Sequence, residues 1–242
     1  MEIVKVKSSL GTLGKNKGTE KAPDLILKDI KGNFEIIEIK EENNLDELQN
    51  KLEKIQGDIF IGGDHSITYS LFKSLKGDNK GIIIFDAHPD CDNYTDTPTH
   101  EDFLKKLIDE HQVKKENIIL IGIRAYWDNE IRFLKDNKIK YYSPEKIFEV
   151  GIKEIADIIM EIANDFSDLY ISIDIDVLDP AYASGTGHLE PAGLSTLELL
   201  YFLRKFKILK NLRRVDLVEV NPEKDINNLT LNIAKKIVKI FI

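Results

Sequence analysis

An acid–imidazole–acid segment directly follows a short apolar run in this chain. Gly81 to Phe85 have the length of one buried strand, and Asp86, His88 and Asp90 come next. In a continuous strand these three positions would share one face, but their Cα atoms would span roughly 13 Å, which is too wide for one ion. If the strand ends near Asp86 and the chain curls, the side chains can converge. Carboxylate and imidazole groups together suit one or two divalent cations.

A second acidic pair lies far downstream, among β-branched residues. Asp174 and Asp176 are two positions apart, and Ile173, Ile175 and Val177 fill the alternate positions. This spacing predicts that both carboxylates share one face of a strand, with roughly 6–7 Å between their Cα atoms. The apolar neighbours indicate a buried backbone, where unpaired charge is unfavourable, so the pair points to a bound cation. The alternative is a pair of solvated acids at a strand end.

A third polar cluster follows another strand-like run. His65 lies in the segment Gly62-Gly63-Asp64-His65-Ser66, after an apolar run at residues 58–61 and before a helix-like pattern from Ile67. A lone histidine in such a turn is more often structural. Here, however, three strand ends each supply acids or imidazoles, and in open α/β sheets ligands bind at the carboxyl ends of the strands.

Composition limits the class of protein. The chain has 242 residues, of which 42% are hydrophobic and 31% charged, and its formal net charge is −8. This predicts a single α/β domain over residues 1–242, with no basic surface for nucleic acid. The apolar runs are strand-sized and no signal peptide is evident, so we expect a cytoplasmic protein without a membrane partner. Cys91 is the one cysteine, which excludes an intrachain disulfide.

The elements alternate along the chain. Strand-like runs occur near residues 2–6, 34–39, 58–62, 81–86, 117–122, 139–142, 169–174 and 213–220. Helical patterns separate most of them, with an N-cap at Ser143-Pro144 and a capping box from Ser195 to Glu198. The alternation predicts an open, mostly parallel sheet of about eight strands with helices on both faces, a three-layer αβα architecture.

Taken together, three segments resemble the signatures of the ureohydrolase family, which includes arginases and agmatinases. They are Gly62 to Ser66, Asp86 to Asp90 and Ser172 to Pro180. The resemblance extends to the segments at residues 185–195 and 218–222, and to an opening substrate loop at residues 13–18. It implies an eight-stranded parallel sheet and two Mn²⁺ ions. The implied metal ligands are His65, Asp86, His88, Asp90, Asp174 and Asp176. Ligand type alone also admits Co²⁺, Zn²⁺ or Fe²⁺.

The resemblance also implies roles in hydrolysis of a guanidino group. Asp90 would hydrogen-bond the attacking group, and Glu219 would grip the guanidinium. His100 would protonate the leaving amine, although Glu101 stands where the family pattern has glycine. The alternative for His100 is an exposed histidine in the first turn of a helix.

Asp216 is interpreted as an ion-pair partner of an adjacent arginine, Arg213 or Arg214.

The substrate is predicted from the residues after Asp90. Arginases typically bind the α-carboxylate of arginine with an asparagine at the position of Asp92, and a carboxylate there would repel it. Agmatine, cleaved to putrescine and urea, is therefore favoured, although Asn93 could restore carboxylate binding. The alternatives are arginine, a formimino or guanidino acid anchored by Arg124, and a non-catalytic metal-binding role. The family resemblance further implies a homo-oligomer, a trimer or a hexamer.

Overall fold

The computed structural model describes residues 1–40, 42–93 and 96–242. Within them the strands are β1 (Glu2–Lys7), β2 (Glu35–Lys40), β3 (Ile59–Ile61), β4 (Gly81–Phe85), β5 (Ile118–Ile121), β6 (Lys140–Tyr142), β7 (Leu169–Asp174) and β8 (Leu212–Val218). The helices are α1 (Ala22–Leu27), α2 (Leu45–Leu52), α3 (Ile67–Lys73), α4 (Phe103–Asp109), α5 (Asp128–Asp136), α6 (Pro144–Val150), α7 (Ile152–Asn164), α8 (Thr196–Phe206) and α9 (Leu229–Phe241). No helix within these described ranges is both long and apolar enough to cross a membrane.

All of these strands pair in parallel, in the order β2-β1-β3-β8-β7-β4-β5-β6. This confirms the predicted eight-stranded sheet. The chain passes from β3 to β4 across the positions that β8 and β7 later occupy. The carboxyl ends of four strands distant in sequence therefore meet at the centre of one edge, where α/β folds bind their ligands.

The sheet separates two apolar layers, which confirms the three-layer architecture. Alternate residues of β4 face opposite sides, with Ile83 and Phe85 in one cluster and Ile82 and Ile84 in the other. Helices α1, α6, α7, α8 and α9 cover the first face, and α2, α3, α4 and α5 cover the second. Because both faces of β3, β4 and β5 are buried, the sequences of these strands are continuously apolar.

The predicted helix starts are confirmed by their caps. Ser143 Oγ accepts a hydrogen bond from the backbone N of Lys146, directly before the proline that begins α6. Ser195 and Glu198 form a reciprocal capping box at the start of α8. These contacts satisfy backbone donors that the first helical turn leaves free.

The strand prediction for the second acidic pair was wrong beyond its first residue. β7 ends at Asp174, and Ile175–Val177 form a 3₁₀ turn. Asp174 Oδ1 accepts a hydrogen bond of 2.8 Å from the backbone N of Asp176. A short acidic side chain that bonds the backbone two residues on favours a turn over continued strand pairing. The two carboxylates therefore belong to a strand end and a turn rather than to one strand face.

Candidate metal centre and active site

The first group of ligand-type side chains surrounds the imidazole of His65, at the carboxyl end of β3. Its Nδ1 lies 3.0 Å from Asp86 Oδ2, 2.9 Å from Asp90 Oδ2 and 3.3 Å from Asp174 Oδ2. Neighbouring ligands around an ion with bonds of about 2.1 Å are about 3 Å apart. One nitrogen and three carboxylate oxygens therefore have the spacing of one coordination sphere.

The second group surrounds His88. Its Nδ1 lies 3.4 Å from Asp86 Oδ1 and 3.1 Å from Asp176 Oδ2. The two oxygens of Asp86 thus face different imidazoles, Oδ2 towards His65 and Oδ1 towards His88. Asp86 would therefore be a ligand in both groups if each held an ion. β4 ends at Phe85, so the chain curls after Asp86 as the sequence predicts.

Two buried atoms in this centre lack a hydrogen bond. His65 Nδ1 and Asp86 Oδ2 are both inaccessible to solvent and have no well-formed hydrogen-bond partner in the described parts of the chain. Buried polar atoms are normally satisfied, and a metal ion satisfies an imidazole nitrogen and a carboxylate oxygen together. The residues present therefore fit a divalent cation.

The electrostatics of the carboxylates lead to the same inference. Burial, with the negative charges of Asp176 and Asp86, raises the pKa of Asp174 well above its usual range. Burial and the charge of Asp86 raise the pKa of Asp90 to about 8. Without a cation these acids cannot all be ionised at neutral pH, because like charges in a buried cluster repel one another.

The imidazoles respond in the opposite direction. Burial lowers the pKa of His88, but the charge of Asp176 and hydrogen bonds to Asp176 and Asp86 outweigh it and bring the pKa to about 12. In His65, the close carboxylates of Asp174, Asp86 and Asp90 likewise outweigh burial and raise the pKa. Protonated imidazoles can supply the positive charge that the acids require. A metal ion would displace these protons, since imidazole binds metals in its neutral form.

A relay behind His65 orients its ring. His65 Nε2 hydrogen-bonds Ser172 Oγ at 2.9 Å, and Ser172 Oγ donates to Asp216 Oδ1 at 2.6 Å. Asp216 also accepts hydrogen bonds from the hydroxyls of Thr68 and Tyr170. With Nε2 engaged in this relay, Nδ1 is left to face the three carboxylates.

This relay corrects the interpretation of Asp216 as an arginine partner. Arg213 instead pairs with Asp168, and Arg214 donates to the Leu71 carbonyl and to Ser74 Oγ. The true partner of Asp216 is the residue opposite it in the β7–β8 register, Ser172. Sequence reasoning missed Ser172 because nothing local to either strand shows which strands are neighbours.

Glu219 follows β8 and lies between the candidate metal ligands and the loop at residues 13–18. Its Oε1 accepts a 2.8 Å hydrogen bond from the backbone N of His65 and lies 3.3 Å from His100 Nδ1. Its Oε2 accepts a 2.6 Å hydrogen bond from Asn16 Nδ2. Burial raises the pKa of Glu219, but these contacts, His100 first, lower it overall. The sequence indicates that the loop at residues 13–18 is similar to a substrate loop, but it does not single out Asn16 within that loop.

His100 is buried, with 6% of its surface exposed, so it is not the solvated helix-start histidine considered as an alternative. Burial lowers its pKa, but the hydrogen bond and charge of Glu219 bring it to about 9. Its Nε2 is buried and has no hydrogen-bond partner within the described ranges. Glu101, the departure from the family pattern, forms an ion pair with Lys15.

A cavity with a volume of about 60 Å³ opens beside both ligand groups. Neither lysine nor arginine occurs among the described residues that line it, whereas carboxylates are abundant. The lining residues are His88, Asp90, Asp92, His100, Glu101, Trp127, Glu130, Asp174, Asp176, Thr186, Gly187, His188 and Glu219.

The two predicted substrate residues after Asp90 differ in position. Asp92 lines the cavity, and its Oδ1 accepts a hydrogen bond of 2.8 Å from Asn129 Nδ2. Asn93 is exposed and absent from the described lining, and its Oδ1 accepts a 2.6 Å hydrogen bond from Lys105 Nζ. The structure therefore brings Asp92, but not Asn93, to the cavity.

Arg124, considered as an anchor for an acidic substrate, is engaged by the protein itself. Its guanidinium donates to the carbonyls of Gly122, Asp176, Val177, Leu178, Glu190 and Pro191. All three of its nitrogens take part in these bonds. Arg124 therefore connects the loops that carry these carbonyls, and it is not among the described residues that line the cavity.

Comparison with known proteins places the whole chain in one family. The model of the Arginase family matches residues 3–242. An arginase from Staphylococcus aureus (strain COL) is 32% identical over 231 residues, covering 88% of this chain and 76% of that protein. A formimidoylglutamase from Bacillus subtilis (strain 168) is 32% identical over 183 residues, covering 73% of this chain and 57% of that protein.

A solved structure shows the same fold. The crystal structure of Entamoeba histolytica arginase in complex with L-ornithine has a TM-score of 0.85 and 26% sequence identity, covering 99% of this chain and 97% of that one. Both the matched length and the arrangement of ligand-type residues at the sheet edge agree with this relationship. The chain belongs to the arginase family of ureohydrolases.

Proposed function

We propose that this chain is a binuclear, manganese-dependent amidinohydrolase that hydrolyses agmatine to putrescine and urea. The observation that supports this most is the charge of the cavity, which is lined by carboxylates and, within the described residues, by no lysine or arginine. Agmatine carries a guanidinium at one end and an ammonium at the other. Both ends suit a negatively charged cavity.

Arginine fits this cavity less well than agmatine. Its α-carboxylate would need hydrogen-bond donors, but the position where arginases typically carry asparagine is Asp92, which lines the cavity. Repulsion between like charges is an effective means of rejecting a substrate. Arg124 cannot take over as a carboxylate anchor because its nitrogens already bind backbone carbonyls. The same point counts against an acidic formimino substrate.

The reaction needs a nucleophile, a residue that binds and positions the guanidinium, and a proton donor. Bound divalent ions would lower the pKa of a water molecule and so supply the nucleophile. Their ligands would be His65, Asp86, Asp90 and Asp174 on one side, and His88, Asp86 and Asp176 on the other. We assign Asp90, through its carboxylate, the further role of orienting the attacking group by a hydrogen bond.

Glu219 and His100 act on the substrate in this proposal. The ionised carboxylate of Glu219 accepts N–H groups of the guanidinium and so holds its carbon in place. The guanidino carbon gains a bond to the water oxygen and loses its bond to the alkyl nitrogen. That nitrogen leaves as an amine, which requires a proton. His100, with a pKa of about 9, is protonated at neutral pH, and its Nε2 proton has no acceptor among the described residues.

The test is urea release by the Mn²⁺-loaded protein from agmatine, arginine and 4-guanidinobutyrate in parallel. We expect urea from agmatine alone, with Asp174→Ala as the control for contaminating activity. The Asp92→Asn variant should gain activity on arginine relative to agmatine, because it removes the repulsive charge. Urea from arginine in preference to agmatine would refute the substrate assignment, and no urea from any of them would refute the proposed reaction.

A further inference from the structure

His188 lies in the cavity wall next to the second ligand group. It follows Thr186 and Gly187, which also line the cavity. Its ring centroid is 5.2 Å from that of His88, in an edge-on arrangement at 66°, and 6.3 Å from that of His100, nearly parallel at 20°. No role has been assigned to this third imidazole so far.

The side chain of His188 is placed like a ligand. One ligand-type atom each from His88, Asp176 and His188 lie within 4.8 Å of one another. Around an ion with bonds of about 2.1 Å, ligands on opposite sides are about 4.2 Å apart, so the spacing of these three atoms is close to that of one coordination sphere.

His188 also has no competing hydrogen bond within the described ranges. Its ring contacts are with His88 and His100. A half-buried imidazole that contacts a metal-ligand histidine and has both nitrogens uncommitted is available to bind the same ion.

We propose that His188 is a third imidazole ligand, bound to the ion that His88 and Asp176 hold. The inference rests on the two-ion centre of the proposed function, but not on the choice of agmatine. It makes the two ions unequal. The ion at His65 has one nitrogen and three carboxylates, whereas the ion at His88 has two nitrogens.

This inequality has a consequence for metal choice. Imidazole suits Ni²⁺, Co²⁺ and Zn²⁺, whereas carboxylate-rich sites suit Mn²⁺. The His88 side should therefore bind Ni²⁺ or Co²⁺ in preference to Mn²⁺ more strongly than the His65 side does. A mixed-metal protein, with Mn²⁺ at His65 and a nitrogen-preferring ion at His88, is the expected result of exposure to both metals.

The direct test counts coordinated imidazoles without any substrate. Protein labelled with ¹⁵N-histidine is loaded with two equivalents of Co²⁺, and the strongly shifted imidazole signals are counted by paramagnetic NMR. We expect three in the wild-type protein, two in His188→Ala and three in His111→Asn. His111 is an exposed histidine outside the described cavity lining, so it is the matched control. Two shifted imidazoles in the wild-type protein would overturn the proposal, whatever the variants do.

Metal affinity supplies a second readout. Competition calorimetry with Ni²⁺ should show that His188→Ala weakens one of the two sites by about tenfold or more, since even residues behind the ligands affect affinity by about 10–100-fold. The affinity of the other site should stay the same. Unchanged Ni²⁺ binding at both sites would overturn the proposal. Three coordinated imidazoles in a protein inactive on agmatine would leave it standing and reject only the substrate assignment.

Discussion

At the residue scale, the metal centre depends on which nitrogen of each imidazole faces the acids. His65 presents Nδ1 to them because its Nε2 hydrogen-bonds Ser172 Oγ, which in turn donates to Asp216. His100 is arranged differently, with Nδ1 towards Glu219 and with Nε2 3.9 Å from Glu101 Oε1 and without a hydrogen-bond partner in the described structure. One ring is thus set up to bind a cation and the other to hold a proton. The partner on the far side of each ring decides which task it performs.

Ser172→Ala should weaken metal binding at the His65 side. The variant removes the hydroxyl that orients the imidazole, and loss of such a partner lowers affinity by about 10–100-fold. Mn²⁺ titration by calorimetry measures this, with Ser70→Ala as the matched control. Ser70 is also a buried serine, but its hydroxyl has no hydrogen-bond partner in the described structure. Equal Mn²⁺ affinity in the two variants would contradict the role of the relay.

Glu219→Gln should lower the pKa of His100 in the metal-free protein. The carboxylate stabilises the protonated ring and, against the effect of burial, brings its pKa to about 9. A neutral amide removes that charge, so the ring should lose its proton at a lower pH. NMR titration of the ring signals of His100 in both proteins checks this. A pKa that stays near 9 in the variant would show that another group holds the proton.

At the scale of elements, one guanidinium ties together the loops around the centre. Arg124 lies after β5 and binds carbonyls of the turn at residues 176–178 and of the segment at residues 190–191. The strands bring their carboxyl ends to one edge, but the loops beyond them have no sheet bonds of their own. A planar guanidinium has five donors spread over three nitrogens, whereas a lysine ammonium has three on one nitrogen, so an arginine can bond carbonyls of separate loops at once.

Arg124→Gln should lower the free energy of unfolding by at least about 3 kcal/mol, because it leaves several buried carbonyls without donors. Arg132→Gln is the control, since Arg132 is an arginine on α5 whose recorded side-chain bond is an exposed one to the Asp128 carbonyl. Urea denaturation of both variants measures the difference. If both lose the same stability, the loops are held by other contacts.

At the scale of the whole molecule, the protein carries a cluster of buried acids within a chain of net charge −8. Two apolar layers make up most of the rest of the interior. Folding must therefore bring carboxylates together at a place where their charge is poorly solvated. Protons or metal ions can neutralise them, so stability should depend on both.

Mn²⁺ should stabilise the protein more as the pH rises towards 8. The pKa of Asp90 is raised to about 8 when folded, so the metal-free native state binds more protons than the unfolded state between about pH 4 and pH 8. This acid's contribution to metal-free stability therefore falls as the pH rises, whereas Mn²⁺ competes better with fewer protons.

Calorimetric unfolding at pH 6 and pH 8, with Mn²⁺ or with a chelator, measures this difference. Each site should add about 2.7 kcal/mol when free Mn²⁺ is 100 times its Kd. The increment between Mn²⁺ and chelator should be larger at pH 8. The same unfolding temperature with Mn²⁺ and with chelator would contradict the metal centre.

The sequence by itself determined the strands, the layered architecture and the residue types of the centre. Runs rich in apolar residues mark all eight described strands within one or two residues of each end. Polar residues directly after such runs, as at His65 and Asp86, indicate the functional edge because strand ends are where ligands bind. These signals are local and can be read along the chain.

Only the tertiary structure decided which distant residues meet. Ser172 and Asp216 are partners because β7 and β8 are neighbours in register, and Asn16 reaches Glu219 because the N-terminal loop folds over the sheet edge. Arg124, a possible substrate anchor in the sequence, binds backbone carbonyls in the structure. Asp176 lies in a turn and not in the strand, because its backbone N donates a hydrogen bond to Asp174. Strand order and loop closure bring together residues far apart in sequence, so no local pattern encodes these contacts.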